Sequence, residues 1–211
     1  MNRIPIIFIM ITLKSSFLFS QNKIVFSKID TSDISKKVKL EGKIKNAIRW
    51  KDNLGDNIIL TTETGEYLSR LVKDSDYRDA ELYAHHYINK AEKLIQTWKV
   101  YDFEKGCPLD IQARFIKNTL QVTDLNNNGV GEAWLMYKTV CHGDVSPSNM
   151  KIIMYEGQQK FAMRGQNKVK LSEADFEGGE FTFDKAFTSG PKTFRDFAIA
   201  LWNKNIMETG D

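Results

Sequence analysis

The sequence predicts a mainly β protein (a β-rich α+β fold): an antiparallel meander of about eight to ten strands with one C-terminal helix. Three observations lead to this class. Apolar and polar residues alternate with a period of two over residues 37–50, which indicates a half-buried strand. Short apolar runs separated by polar turns continue to residue 164. The composition changes after residue 165, and apolar residues recur at helical spacing over residues 194–202. A curved sheet, an open barrel and a partial propeller all satisfy this pattern.

The N-terminal segment, residues 1–20, predicts a secretory signal peptide. Arg3 provides a basic start, an apolar run follows up to Leu13, and the small residue Ser20 precedes the expected cleavage site. A retained membrane anchor is the alternative, but the apolar run is only about half of the roughly 20 residues that a spanning helix needs. We therefore expect an exported protein. Residues 21–211 form one β-rich domain, in which 165–211 is a C-terminal appendage with a helix at about 191–207.

The charge balance argues against nucleic acid as a partner. The whole chain has 30 basic and 27 acidic residues, and two of the basic ones, Arg3 and Lys14, belong to the predicted signal peptide. The mature chain would therefore carry a formal charge of only +1, whereas nucleic-acid binding usually requires a clustered basic face. Once the signal peptide is cleaved, we expect no stable membrane span.

The first predicted hairpin covers residues 37–62. Residues 37–50 form one long strand with Gly42 as a bulge or bend, residues 51–56 supply the turn, and residues 57–62 return. The apolar residues expected on one side of the first strand are Val38, Leu40, Ile44, Ile48 and Trp50.

Residues 80–103 permit two interpretations. Good helix formers occur here, but alternation and β-branched residues favour two strands joined at 89–92. On a strand His85 and His86 point to opposite faces, so they would not share a metal ion. If the segment were helical, the fold would be a more balanced α+β.

The remaining elements are four strands and a helix. Strands are predicted at 115–123, 132–140, 150–155 and 160–164. Pro191 can open a helix at its first turn. The helix would then carry one apolar stripe, which either packs on the sheet or binds a partner; its members are Phe194, Phe197, Ala198, Leu201 and Trp202.

The loop at 124–132 predicts a weak calcium site at a hairpin tip. Side-chain oxygens fall at its first, third, fifth and ninth positions, Gly129 takes the sixth, and a peptide oxygen is available at the seventh. The predicted ligands are Asp124, Asn126, Asn128, Val130 and Glu132. Leu135 at the twelfth position excludes an EF-hand, and the pattern resembles the loops of FG-GAP propeller blades. An Asn-Gly hairpin turn without an ion is the alternative.

Cys107 and Cys141 are the two cysteines of the chain. In an exported protein an even count favours a disulfide. Two buried free thiols are the alternative, and zinc is disfavoured because only His142 lies near them in sequence.

None of the motifs G-x-S-x-G, P-loop, G-x-G-x-x-G and H-E-x-x-H is present. Ser146 and Ser148 lie close to His142 and Asp144, but residues so near in sequence rarely form a triad. The segment Asp144-Val145-Ser146-Pro147 instead predicts a side-chain-capped turn.

An ordered series of motifs resembles an exported Bacteroidetes-type family described as surface polysaccharide biosynthesis proteins. Its elements here are Gly42, Trp50-Lys51-Asp52, Gly55-Asp56-Asn57, Glu81, Tyr83-Ala84, His86-Tyr87, Trp98, Asp102, Cys107-Pro108, Asp110, Val122-Thr123-Asp124-Leu125, Gly129, Glu132, Trp134, Tyr137-Lys138, Cys141, Asp144, Ser146-Pro147 and Met150-Lys151. The resemblance implies an envelope role tied to lipopolysaccharide O-antigen or related glycans, in the periplasm or at the cell surface of a Gram-negative bacterium. It brings no catalytic residues.

Two functional hypotheses follow. The first, which we favour, is a non-catalytic protein that binds glycan or polysaccharide machinery and supports its biosynthesis or assembly; the aromatic residues available for stacking are Tyr83, Tyr87, Trp98, Tyr101 and Trp134. The second is a glycan-acting enzyme, which needs two carboxylates roughly 5–10 Å apart in a cleft. Its candidate residues are Asp102, Asp110 and Asp144.

Overall fold

The computed structural model describes residues 24–27, 29–72 and 76–207. Strands account for 55% of the described residues and helices for 14%, which confirms a mainly β fold with antiparallel sheets and a C-terminal helix. The described part contains 13 strands, more than the predicted number, because several strands have only three residues. The signal-peptide prediction lies outside the described residues. None of the described helices is long and apolar enough to cross a membrane.

Sheet A is a five-stranded antiparallel meander in the order β1-β2-β3-β4-β5. Its strands are β1 (Val25–Ser27), β2 (Lys43–Asp52), β3 (Gly55–Leu68), β4 (Arg78–Lys90) and β5 (Lys93–Cys107). A short helix, α1 (Thr31–Lys37), connects β1 to β2, and Asp30 caps its N-terminus by accepting from the Ser32 amide.

Sheet B has the strand order β13-β10-β9-β8-β6, and β7 also pairs with β8. Its strands are β6 (Ile111–Phe115), β7 (Gln121–Thr123), β8 (Glu132–Cys141), β9 (Asn149–Glu156), β10 (Gln159–Gln166) and β13 (Phe181–Phe183). A separate two-stranded ribbon consists of β11 (Lys168–Lys170) and β12 (Phe176–Gly178), and the chain continues with α2 (Lys185–Ser189) and α3 (Lys192–Asn205).

Three apolar clusters lie on the sheet faces. The central cluster joins the inner faces of both sheets and includes Trp98 from sheet A and Tyr155 from sheet B, whose rings stack 4.2 Å apart. A second cluster lies between the outer face of sheet B and α3. A third, smaller cluster lies under α1 on the outer face of sheet A and contains Ile34, Leu60 and Tyr87. Successive side chains along a strand therefore point alternately into two different cores.

The prediction of one strand over residues 37–50 is wrong in its first part. Residues 31–37 are helical, and β2 begins only at Lys43, after Gly42. Gly42 has φ +74°, and a Cβ there would lie 2.5 Å from the Glu63 backbone, so the position requires glycine. Val38 and Leu40 pack on the outer face of sheet A, whereas Trp50 lies in the central cluster. The expected single apolar side is therefore divided between two cores.

The interpretation of residues 80–103 as two strands is confirmed. Strands β4 and β5 pair from Arg78↔Cys107 to Lys90↔Lys93, and Ala91 and Glu92 between them both have positive φ. Two positive φ values match the primed turn that the twist of a hairpin favours. His85 and His86 lie on opposite faces, since His85 stacks with Tyr87 and His86 with Trp98.

The prediction of one strand over 115–123 is also wrong. The segment is divided between β6, which ends at Phe115, and β7, which begins at Gln121. Asn118 between them has φ +60°, and the Thr119 hydroxyl donates to the Ile116 carbonyl. This turn breaks the strand while both pieces still pair with β8.

The C-terminal helix and the cysteine pair agree with expectation. The apolar stripe of α3 packs on the outer face of sheet B, where Phe194, Ala198 and Trp202 are fully buried. Cys107 at the end of β5 and Cys141 at the end of β8 form a disulfide, with Cα atoms 5.8 Å apart. This bond joins the two sheets at one end of the sandwich.

Candidate functional site

Of the five aromatic residues proposed for stacking, four are buried. Trp134 lies under α3, Trp98 is enclosed in the central cluster, and Tyr83 and Tyr87 are buried on the outer side of sheet A. Tyr101 alone is exposed, with 45% of its surface accessible. Packing in the protein interior therefore explains four of the five aromatic residues, and Tyr101 is the one that a ligand can contact.

Tyr101 belongs to a surface that we call the aromatic face, on the outer side of sheet A. Tyr101 and Tyr83 are cross-strand partners, and their rings stack 4.9 Å apart. Phe103, two residues along β5, is also 45% exposed, and its ring lies 5.2 Å from that of Tyr101. The other members are Tyr67, Glu81, Lys99 and Lys105. Exposed π surface supported by buried rings is suited to stacking on a flat apolar ligand face.

Glu81 holds the polar groups of the aromatic face in place. Its carboxylate accepts from the Tyr83 hydroxyl at 2.6 Å and the Tyr101 hydroxyl at 3.1 Å, and it also pairs with Lys105. Burial alone would raise the pKa of Glu81, but the hydrogen bonds from Lys105, Tyr83 and Tyr101 and the Lys105 charge together outweigh burial and keep that pKa below its usual value. Both tyrosine rings are therefore oriented by the same carboxylate.

A second ion pair borders the aromatic face. Lys99 Nζ lies 3.0 Å from Glu41 and 4.6 Å from the centre of the Tyr83 ring. Three acids, Glu41, Asp79 and Glu81, share two lysines here. The face is therefore close to neutral and does not favour an acidic ligand.

Two buried side chains beside Tyr83 have unmet hydrogen-bonding capacity. Both ring nitrogens of His85 and the Thr62 hydroxyl lack a hydrogen-bond partner among the described residues. His85 Nε2 lies 3.5 Å from a Glu41 oxygen, at the limit of a hydrogen bond. Burial lowers the pKa of His85, so the ring is neutral at neutral pH. A water molecule or a ligand hydroxyl that reached the outer side of sheet A here would form hydrogen bonds with these His85 and Thr62 atoms.

The three carboxylates proposed for glycan cleavage are divided between two places. Asp102 faces sheet B, where it accepts from the Tyr137 hydroxyl at 2.9 Å. Asp110 and Asp144 line a separate cleft of about 270 Å³. A glycosidase also needs a carboxyl group with a raised pKa as its acid. Among the described carboxyl groups with a clearly shifted pKa, only that of Glu132 is raised, and Glu132 is fully buried.

The cleft of Asp110 and Asp144 also contains Ser148 and His142. Ser148 Oγ lies 3.4 Å from His142 Nε2, and His142 Nδ1 lies 3.1 Å from the Asp144 carbonyl oxygen. The Ser148 amide donates to Asn167 Oδ1 at 2.6 Å, so it is already engaged and is not a free oxyanion donor. The Ser146 amide donates to Asp144 Oδ1, which forms the predicted side-chain-capped turn.

The 124–132 loop brings three of its predicted ligands together. Asp124 and Asn126 both accept from the Asn128 amide, at 3.0 and 3.1 Å, and Asn128 Oδ1 accepts from the Val130 amide. Gly129 has φ +76°, and a Cβ there would collide with the Asn53 side chain. These hydrogen bonds hold the loop in its curved conformation.

Glu132 and Glu156 complete the acidic surroundings of this loop. Glu132 accepts from the Thr123 hydroxyl and the Leu125 amide, and burial, Asp124 and Glu156 all act to raise its pKa. Glu156 Oε1 accepts from the side-chain amides of Asn126 and Asn128 at 2.6 and 2.7 Å. The donor set consists of oxygens, which fits calcium. The described residues contain no ready-made cluster of three His, Cys, Asp or Glu ligands.

The sequence did not indicate the residues from distant strands that complete the aromatic face and the surroundings of the 124–132 loop. Glu81, Phe103 and Lys105 complete the aromatic face, and the period-two spacing of Tyr101, Phe103 and Lys105 on β5 was the available signal. Glu156 lies on another hairpin from the 124–132 loop, so no local pattern indicates it.

In comparisons with known proteins, no family model, curated protein or solved structure matches this chain.

Proposed function

We propose that this chain is an exported, non-catalytic envelope protein that binds glycan and supports the biosynthesis or assembly of a surface polysaccharide. The observation that carries the proposal is the aromatic face, where the exposed rings of Tyr101 and Phe103 are backed by Tyr83. The resemblance to surface polysaccharide biosynthesis proteins and the predicted signal peptide support the same role and location.

The chemistry of the aromatic face suits a saccharide. The C–H side of a sugar ring is flat and apolar, so it can stack on Tyr101 and Phe103, while sugar hydroxyls can bond to Glu81 and Lys99 at the border. Because both rings lie on a strand and Glu81 orients Tyr101, little side-chain freedom is lost on binding. Nearly balanced charges favour a neutral sugar unit at this face.

The Tyr101→Ala/Phe103→Ala variant is expected to lose glycan binding. Central aromatic contacts typically contribute more than about 1 kcal/mol each, so the affinity for surface polysaccharide from the parent bacterium should fall roughly 10- to 100-fold. Isothermal titration calorimetry measures this. Phe176→Ala is the matched control because Phe176 is 41% exposed but lies on the β11–β12 ribbon. Equal affinity of all three proteins would contradict the assignment of the face.

The biological role is tested by deleting the gene and separating the extracted surface glycans by electrophoresis. Wild-type protein should restore the normal ladder, and the Tyr101→Ala/Phe103→Ala variant, present at equal amount, should not. A ladder that is unchanged by the deletion would remove the polysaccharide role.

We further propose that Ca²⁺ binds the 124–132 loop and stabilises the protein, as in an extracellular binding module. With a Kd of roughly 10⁻⁴–10⁻³ M, calcium at ten times Kd should add about 1.4 kcal/mol, or roughly 3–6 °C in Tm. Asp124→Asn and Glu156→Gln should each abolish the shift in differential scanning fluorimetry, whereas Asp196→Asn on α3 should retain it. Absence of any shift in wild type would leave a hairpin turn without an ion.

A further inference from the structure

Three cationic side chains project from the inner face of sheet B, beside β5, the last strand of sheet A. Lys151 on β9 and Arg164 on β10 are directly paired across the two strands. Lys160 lies four residues from Arg164 on β10 and therefore projects from the same face. Lys160 and Arg164 are exposed, whereas Ala162 between them is fully buried. We call Lys151, Lys160 and Arg164 the cationic strip.

The positive charge of the cationic strip is only partly compensated. Lys151 Nζ lies 2.5 Å from Asp102, which also accepts from the Tyr137 hydroxyl. Among the described residues, no carboxylate lies within salt-bridge distance of Lys160 or Arg164. Asp184, the other nearby acid, accepts from the backbone amides of Ala162 and Phe187 and serves as the cap of α2.

The charges of Arg164 and Lys151 both act on Lys160. Partial burial, Arg164 and Lys151 all act to lower the pKa of Lys160, and Asp102 and Asp184 do not fully offset them. The Arg164 charge also reaches the Tyr137 hydroxyl, which is bonded to Asp102. Like charges kept together at a surface repel one another, and an anion between them would relieve the repulsion.

We infer that the cationic strip is a second binding site, which takes the acidic group of a charged saccharide, either a carboxylate or a phosphate. Arginine forms paired hydrogen bonds with both groups, and lysine adds a point charge. The choice of a saccharide rests on the proposed function. Two features favour a small acid over nucleic acid: the strip has three cations, and the chain after residue 20 has nearly equal numbers of basic and acidic residues. The nearly neutral aromatic face would then bind a neutral unit of the same polymer.

The experiment titrates two probes, trigalacturonate for the carboxylate and glucose 1-phosphate for the phosphate, into the full chain at low ionic strength. Binding of at least one probe is expected by isothermal titration calorimetry. Lys160→Gln/Arg164→Gln should weaken it at least about tenfold, as expected for the loss of charge-assisted hydrogen bonds. Lys192→Gln, which removes a charge on α3, is the matched control and should bind like wild type.

Three results would overturn the inference: no binding of either probe, equal weakening by Lys192→Gln, or tighter strip-dependent binding of a single-stranded oligonucleotide than of both probes. Tyr101→Ala/Phe103→Ala separates this inference from the glycan-binding proposal, because it disables the aromatic face but should leave the affinity for both probes unchanged. The two proposals can therefore fail independently.

Discussion

Replacing Trp134 with alanine is expected to lower the free energy of unfolding by about 3–5 kcal/mol. Trp134 is completely buried, and its ring centre lies 4.6 Å from that of Phe197 on α3. Its indole N–H donates to the Thr123 hydroxyl at 2.8 Å, beside the 124–132 loop. The substitution leaves a large cavity between sheet B and α3, which the close-packed surroundings cannot fill. Urea denaturation followed by circular dichroism measures the loss.

Tyr101→Ala is the control for this prediction, because it also removes an aromatic side chain but from an exposed position. Its cost should stay below about 1 kcal/mol. If Trp134→Ala were no more destabilising than Tyr101→Ala, the placement of Trp134 beneath α3 would be wrong, and Trp134 would again be a candidate for ligand stacking.

Removing the disulfide with Cys107→Ala/Cys141→Ala should cost about 3–4 kcal/mol. The bond closes a loop with a sequence separation of 34 residues, and opening it increases the chain entropy of the unfolded state. Cys107 is buried at the junction of the two sheets, so lost packing adds to this effect. The measurement is again urea denaturation, with and without reductant.

Reductant should destabilise the wild-type protein by a similar amount and leave the double variant unaffected. Intact mass after alkylation without reductant provides a direct check, because a disulfide-bonded chain takes up no label. Two labels on the folded wild-type protein would show free thiols and contradict the bond.

Alternation predicted the long strands well because it records burial directly. Residues 80–103 form two strands even though several are good helix formers, since pairing with β3 and packing on Trp98 outweigh weak intrinsic preferences. The short elements were not predicted, because they leave little trace in the alternation of apolar and polar residues. Helix α1 and the turn at Asn118 depend on a cap and a single positive φ, which produce little periodicity.

The candidate site was predictable only in part. Alternation shows that Trp98 and Tyr101 point to opposite sides of β5, but it does not show which side sheet B covers. Sheet B covers the side of β5 that carries Trp98, so Trp98 is a core residue and Tyr101 is exposed. The links from Glu81 to Lys105 and from Glu156 to Asn126 connect separate strands, so they follow from topology rather than from local sequence.

The order of the two sheets along the chain has a consequence for biogenesis. All of sheet A, residues 25–107, is synthesised before any strand of sheet B, which begins at residue 111. The apolar residues of β4 and β5 are therefore exposed before the strands that cover them have been synthesised. About 60 further residues, or roughly 3–12 s of translation, separate completion of β5 from completion of β10. During this interval the nascent chain exposes apolar surface that sheet B later covers. A holding chaperone would be needed most at this stage.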